Sequence, residues 1–79
     1  MSDILIQYLK AEILGDLNEE ITPEDDLLGS GLVDSMGMMK FIGFIESEFG
    51  FSVPPGDMVI ENFMTVAAIE SYIKQMTGK

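Results

Sequence analysis

The hydroxyl of Ser35 is the side chain in this sequence best placed to do chemistry. Ser35 directly follows Asp34 and opens an amphipathic run that ends near Phe49, so it lies at the start of a predicted helix. A serine nucleophile needs a base within hydrogen-bond reach, usually histidine, and this chain has neither histidine nor cysteine. We therefore expect Ser35 to be either a covalent attachment point used by another enzyme or a helix cap.

Three motifs favour the attachment point: Asp34-Ser35 followed by hydrophobic residues, Glu46-Ser47-Glu48-Phe49-Gly50 downstream, and Glu61-Asn62-Phe63 before a last helix. With these motifs, the segment from about Thr22 to Ile73 resembles the acyl carrier protein family, which includes the peptidyl and D-alanyl carriers. The resemblance implies that Ser35 is esterified by 4'-phosphopantetheine, whose thiol holds an acyl or aminoacyl group as a thioester. It also suggests that a phosphopantetheinyl transferase recognises Asp34. A carrier of this kind has no catalytic residues and is not an enzyme.

The predicted helix from about Ser35 to Phe49 has two contrasting sides. The side predicted to face the core carries Met38, Phe41, Ile42, Ile45 and Phe49. The opposite side carries Met36, Lys40, Gly43 and Ser47, with Met39 at the boundary. Sulfur, glycine and a lysine therefore stand at Met36, Met39, Lys40 and Gly43. Methionine suits surfaces that accept varied partners, whereas glycine inside a helix costs about 1 kcal/mol relative to alanine. We therefore predict a docking face made of these four residues; the competing interpretation packs the two methionines beneath the preceding loop.

The residues after Ser35 bear on the cargo. Many carriers of the fatty-acid type have acidic residues along this exposed face, where the present chain has Gly37-Met38-Met39-Lys40. Gly37 is also found in D-alanyl carriers. Our first expectation is a specialised acyl carrier of a lipid, fatty acid or polyketide-type pathway. The alternative is an aminoacyl (D-alanyl or peptidyl) carrier, and a more distant one is a non-catalytic acidic helical adaptor in which Ser35 only caps the helix.

Charge restricts the partners. Fourteen acidic residues against four basic ones give a net charge of −10, which repels nucleic acid and anionic membranes and favours proteins with basic faces. The expected partners are a phosphopantetheinyl transferase and an acyl or aminoacyl ligase or synthase. The apolar runs are too short for a membrane span of about 20 residues, and Ser2-Asp3 is unlike the start of a signal peptide. We expect a cytoplasmic monomer.

A calcium-binding loop is the other function that the acidic residues could suggest. Asp16, Asn18 and Glu20 have the spacing of the first calcium ligands of an EF-hand. However, Ile21 stands where that loop needs its turn glycine, and Leu27 where it needs the bidentate glutamate. We therefore expect no metal site.

The fold class predicted for residues 1–79 is all-α, in one domain: a small four-helix bundle of the acyl-carrier type, with a long loop after the first helix and a short third helix. The first helix is expected to begin at a Ser2 or Asp3 cap and to end at Gly15, with an apolar stripe of Ile4, Leu5, Tyr8, Leu9 and Ile13. In the loop, Thr22, Pro23 and Asp25 resemble a capping box, followed by the anchors Leu27 and Leu28.

The second half of the chain contains two further predicted helices. Asp57 is expected to cap a short segment through Ile60, and Phe63 to reach the core. Thr65 is expected to cap the last helix, which Gly78 ends. In that helix the predicted buried stripe is Val66, Ile69, Ile73 and Met76, and the predicted exposed ion pair is Glu70 with Lys74.

Overall fold

The computed structural model describes residues 1–78, and in this range the chain forms helices and no strands. The α-helices are α1 (Ser2–Tyr8), α2 (Ser35–Phe49), α3 (Ile60–Phe63) and α4 (Val66–Thr77). A π-helical segment, Leu9–Leu14, continues α1, and a 3-10 turn covers Pro55–Asp57. The all-α prediction, with its long loop and short third helix, is confirmed.

Apolar side chains from every α-helix and from the loops form one core. The fully or nearly fully buried residues are Leu5, Leu9, Ile21, Leu27, Val33, Met38, Phe41, Ile42, Ile45, Val53, Phe63, Val66, Ile69, Tyr72 and Ile73. The core-facing side predicted for α2 is confirmed, except that Phe49 is only partly buried. In α4 the prediction for Met76 is wrong: it is 37% exposed because it lies in the last turn, past the buried residues. Tyr72, which the predicted stripe omitted, is buried instead.

The start of α1 differs from the sequence prediction. Met1 is the residue that precedes the helix, and neither Ser2 nor Asp3 caps it with a side-chain hydrogen bond. The Ser2 hydroxyl instead donates to the carboxylate of Glu70 on α4, so a long-range contact replaces the local cap. This bond, together with Lys74 at 3.3 Å, holds the pKa of Glu70 below its usual value. The Glu70–Lys74 pair is therefore confirmed, although Glu70 is partly buried rather than exposed.

Three of the other predicted helix boundaries, at Gly15, Thr65 and Gly78, are confirmed. Gly15 and Gly78 adopt the left-handed conformation, with φ of 68° and 73°, after the first and last helical segments. Thr65 caps α4 by accepting a hydrogen bond from the backbone N–H of Ala68 at 3.0 Å. These ends depend on one or two residues each, which is why the sequence indicates them well.

The loop between the first helix and α2 is fixed to the far end of the chain. The backbone N–H of Leu27 donates to the carbonyl of Met64 at 2.7 Å, and that of Ala67 donates to the carbonyl of Pro23 at 2.9 Å. Leu27 is buried, as predicted, and Leu28 is partly buried. The loop is thus a packed layer over α3 and the start of α4.

Only half of the predicted capping box forms in this loop. Thr22 donates its backbone N–H to Asp25 Oδ2 at 2.9 Å, but the segment makes a turn and does not continue as a helix. The anchor at Leu27 follows at once and draws the chain into the core. The local motif therefore stabilises a turn, because the Leu27 N–H and the Pro23 carbonyl, which a helix would pair with each other, bond to Met64 and Ala67 instead.

Asp57 does not cap α3. It ends the 3-10 turn, and Val59 precedes α3 without a side-chain cap. The Asp57 carboxylate instead accepts a hydrogen bond from the Tyr72 hydroxyl at 2.8 Å. Burial, and then the Asp57 carboxylate, raise the pKa of Tyr72 to about 12. Phe63 reaches the core as predicted and packs edge-on against Tyr72, with ring centroids 5.5 Å apart.

Within residues 1–78, no helix combines the length and the apolar character that crossing a membrane would require.

Candidate functional site

The start of α2 is built around Asp34. Asp34 is the N-cap, and its Oδ1 accepts a hydrogen bond from the backbone N–H of Gly37 at 2.7 Å. Ser35 is the first residue of the helix and is exposed to solvent. The interpretation of Ser35 as the cap is therefore wrong, because its neighbour fills that role. The Ser35 hydroxyl lies at the surface, accessible to a modifying enzyme.

The residues before Asp34 hold this helix start in place. Gly31 has a left-handed φ of 81°, which lets the chain turn, and its N–H donates to the carbonyl of Leu28 at 3.2 Å. Val33 is buried, and its N–H donates to the carbonyl of Leu27 at 2.9 Å. The buried Val33 therefore directly precedes the exposed pair Asp34-Ser35 and anchors it to the core.

Gly37 allows this helix start to pack closely. A Cβ at position 37 would stand 3.2 Å from Asp34 Oδ1, 3.2 Å from Ile13 Cγ2 and 3.2 Å from Val33 Cγ1. All three contacts are tighter than ordinary van der Waals separation, so a side chain there would push against the cap, the first helix or the loop. Close packing is therefore a structural reason for glycine at position 37, independent of the cargo.

Ser35 lies at the edge of a small apolar groove between α2 and the segment that leads into α3. The groove has a volume of about 190 Å³ and is lined by Leu28, Ser35, Met38, Met39, Ile42, Met58, Val59, Ile60 and Phe63. Sequence reasoning missed the contribution of the residues that precede and start α3. Their signal was the run Met58-Val59-Ile60, which places three large apolar residues together after a Pro-rich turn.

The predicted docking residues share one side of α2 but differ in their surroundings. Met36 is 83% exposed and Met39 is 57% exposed, so packing of both beneath the loop is ruled out. Gly43 faces open space, with no heavy atom within 4 Å of a Cβ built there. Lys40 is also exposed, but its Nζ donates to the carbonyl of Glu12 at 3.1 Å and so closes the end of the first helix. Met39 additionally lines the groove beside Ser35.

This site suits a covalently attached anionic group. The helix N-terminus carries a partial positive charge and favours a phosphodiester at Ser35, whereas the Asp34 carboxylate beside it is unfavourable. The open hydroxyl and the adjoining apolar groove leave room for an attached arm. No cluster of three or more His, Cys, Asp or Glu side chains within residues 1–78 could hold a metal ion.

Comparison with known proteins agrees with this geometry. Residues 3–73 match the protein family described as "Phosphopantetheine attachment site", and the chain belongs to that family. Its members carry covalently bound 4'-phosphopantetheine, so this chain is a carrier protein on which enzymes act and not itself an enzyme. The resemblance seen in the sequence is confirmed.

Named relatives include aminoacyl and D-alanyl carriers. The chain is 33% identical over 57 residues to Aminoacyl carrier protein 1 of Bradyrhizobium diazoefficiens, a match that covers 72% of this chain and 62% of that protein. It is 26% identical over 76 residues to the D-alanyl carrier protein of Streptococcus suis, covering 96% of this chain and 94% of that protein. These relatives favour the aminoacyl alternative over the fatty-acid or polyketide-type carrier that the sequence first suggested.

One solved structure has the same fold. It is the crystal structure of Bradyrhizobium japonicum glycine:[carrier protein] ligase complexed with glycylated carrier protein. The matched chain superposes with a TM-score of 0.73 at 26% identity, covering 89% of this chain and 93% of that chain. In that complex the carrier is the partner of an aminoacyl ligase.

Proposed function

We propose that this protein is an aminoacyl carrier whose 4'-phosphopantetheine arm is attached to Ser35. The observation that carries the attachment site is an exposed serine, two residues after the buried Val33, at the start of a helix already capped by Asp34. The similarity to aminoacyl and D-alanyl carriers supports the cargo class. When bound, the arm supplies a thiol that holds the aminoacyl group as a thioester.

The groove beside Ser35 is too small to enclose a long acyl chain, which also favours a small cargo that remains outside it. Its volume of about 190 Å³ lies below the roughly 300–1,000 Å³ of typical small-molecule pockets. An aminoacyl group carries an ammonium that would lose its hydration in an apolar groove, so it stays in solvent. There it is accessible to the enzyme that attaches or receives it.

The enzymes that use this carrier are proposed to contact the side of α2 next to Ser35. Met36, Met39 and Gly43 offer a flexible apolar surface without bulky obstruction, and Lys40 stands at its edge. The negative charge of the chain attracts basic faces on a phosphopantetheinyl transferase and on an ATP-dependent aminoacyl ligase. Asp34 is proposed to be recognised by the transferase. The carrier acts as a single monomeric domain in the cytoplasm, where coenzyme A and ATP are available.

The attachment site is tested by intact mass after incubation with coenzyme A, magnesium and a broad-specificity phosphopantetheinyl transferase. One added phosphopantetheine is expected on the native chain and none on Ser35→Ala. Because Asp34 supplies the cap, Ser35→Ala should remain folded, with a stability change within about 0.5 kcal/mol measured by urea denaturation. Modification of a folded Ser35→Ala protein would place the arm elsewhere.

The cargo class is tested with the phosphopantetheinylated protein and ATP. Three enzymes are compared: a glycine:[carrier protein] ligase, a D-alanine:carrier ligase and an acyl carrier protein synthetase supplied with fatty acid. We expect an aminoacyl adduct that hydroxylamine releases, as a thioester requires. Loading by the fatty-acid enzyme alone would refute the aminoacyl cargo and leave the Ser35 attachment intact.

A further inference from the structure

A second groove lies between α1 and α2. It has a volume of about 780 Å³ and is lined by Asp3, Ile4, Gln7, Tyr8, Ala11, Glu12, Phe44 and Glu48. Six of these residues follow one face of the first helix and its π-helical continuation, spaced as the neighbours of successive turns. The other two are one turn apart on α2. Nothing in the function proposed above uses this surface.

The floor of the groove is apolar. Ile4 is 46% exposed, and the rings of Tyr8 and Phe44 stack with centroids 3.9 Å apart and an interplanar angle of 10°. Tyr8 and Phe44 pack only partly into the core and leave part of their surface to the groove. Ile4 and the exposed parts of these two rings form an apolar strip that offers contact area to a partner.

The rim of the groove is acidic. Asp3, Glu12 and Glu48 line it, and no lysine does. Lys40, the lysine of α2, donates from its Nζ to the carbonyl of Glu12. The border therefore has three carboxylates and one neighbouring lysine. Its net charge is negative, which fits a segment that has one apolar side and flanking lysines or arginines.

The length of the apolar strip indicates which kind of partner segment fits along it. From Asp3 to Glu12 the first helix rises about 13 Å, which matches two to three turns of a partner helix laid along it. A second copy of this chain would bring a further net charge of −10 against the acidic rim, and an anionic membrane would be repelled in the same way. A cationic helix is the occupant that both the charge and the shape favour.

We propose that the α1–α2 groove docks a basic amphipathic helix of a partner protein. Phe44 follows Ser35 by nine residues, which is two and a half turns, so the groove and the attachment site lie on opposite sides of α2. A partner seated in the groove therefore leaves Ser35 open to a second enzyme. The groove tethers the carrier while its arm is processed, and the tether does not depend on the cargo class.

The test uses the full-length protein and a synthetic helix-forming peptide of leucine and lysine, about 14 residues long with leucines on one side. Binding is followed by backbone amide chemical shifts. The shifts expected to move are those of residues lining the groove, such as Gln7, Ala11 and Phe44, and not those of Met39 and Gly43. A matched peptide with glutamate in place of lysine should not bind.

Two pairs of variants separate a defined site from general charge attraction. Glu12→Gln with Glu48→Gln removes two rim charges, and Glu20→Gln with Glu24→Gln removes two exposed charges that do not line the groove. The rim pair should weaken the peptide Kd about threefold to tenfold, and the control pair by much less. Ile4→Ser, at an exposed position, should weaken binding as well. Each variant is first shown to be folded by circular dichroism.

Several results would overturn the proposal. Equal weakening by both variant pairs would mean non-specific attraction, and shifts centred on Met39 and Gly43 would place the peptide on the other side of α2. Concentration-dependent dimerisation that moves the groove shifts without peptide would assign the surface to a second copy. Finally, transferase modification of Ser35 should proceed at an unchanged rate with the peptide bound; inhibition would mean that the two sites overlap.

Discussion

Asp34 combines two properties that substitutions can separate. Its carboxylate caps α2 through the N–H of Gly37 at 2.7 Å, and its negative charge stands beside the proposed attachment serine. An asparagine preserves the acceptor and removes the charge, whereas an alanine removes both. The two variants therefore report on capping and on recognition independently.

We predict that Asp34→Ala lowers the free energy of unfolding by about 1 kcal/mol, whereas Asp34→Asn changes it by about 0.5 kcal/mol or less. Both variants should be poorer substrates of the phosphopantetheinyl transferase, with a reduced kcat/KM, because both lack the charge. Urea denaturation and a mass-based rate assay give the two quantities. An asparagine variant modified as fast as the native chain would reduce Asp34 to a cap.

Tyr72 is a second residue whose environment makes a measurable prediction. Burial, and then the Asp57 carboxylate at 2.8 Å, raise its pKa from 10.0 to about 12. The protonated hydroxyl is favoured in the folded state, so its contribution to stability is fully present below pH 10 and is lost as the pH rises towards 12. Tyr72→Phe removes this titrating group and keeps the ring.

We therefore expect the free energy of unfolding of the native chain to fall between pH 10 and pH 12. The part of that fall that comes from Tyr72 should be absent from Tyr72→Phe. Urea denaturation at a series of pH values measures the difference. Parallel curves for the two proteins would show that Tyr72 does not carry the effect.

At the scale of the element, α2 contains two glycines with opposite surroundings. Gly37 is crowded by Ile13, Val33 and the Asp34 carboxylate at 3.2 Å, whereas Gly43 faces open space. Both positions are helical, so alanine has the same intrinsic advantage at each, about 1 kcal/mol. The difference in stability between alanine variants at the two positions therefore measures how closely the first helix and the loop pack on the start of α2.

We predict that Gly43→Ala stabilises the protein by about 0.5–1 kcal/mol and that Gly37→Ala gains clearly less or loses stability. Thermal and urea denaturation of the two single variants, each against the native chain, provide the comparison. Gly43 also belongs to the proposed docking face, so a ligase loading assay on the stabilised variant shows whether an added methyl obstructs the partner. Equal stabilisation at both positions would contradict the close packing at Gly37.

The whole molecule is dominated by its net charge of −10, carried on a chain of 79 residues. The fourteen acidic side chains, only partly offset by four basic ones, repel one another in the compact state. This repulsion lowers the stability of the fold. We expect the same charge to attract basic partners to the proposed docking side of α2 and to the α1–α2 groove. Salt weakens both effects, because the screening length falls from about 10 Å at 0.1 M to about 3 Å at 1 M.

We expect the thermal midpoint to rise as sodium chloride is added from low ionic strength. The Glu20→Gln, Glu24→Gln double variant, which has a net charge of −8 because two of the ten excess negative charges are removed, should start from a higher midpoint and respond less to salt. Differential scanning calorimetry at several salt concentrations measures both. A midpoint that is independent of salt would mean that self-repulsion does not limit stability.

The sequence by itself determined the features that depend on neighbours along the chain. The helical class, the core side of α2, the Thr65 cap and the exposed serine follow from spacing at three and four residues and from single capping groups. The sequence suggested Ser35 alone as a cap, and a helix start shifted by one residue moves that role to Asp34. Only the folded chain assigned that cap to Asp34.

The tertiary structure decided whatever depends on distant segments. The side chains of Ser2 and Asp57 do not form their predicted caps and instead hydrogen-bond to Glu70 and Tyr72. Met76 lies outside the core, whereas Tyr72 is part of it. Both grooves lie between elements that are far apart in sequence. A linear pattern specifies which side of a helix is apolar, but not which neighbour covers it, because that depends on how the helices and the long loop pack together.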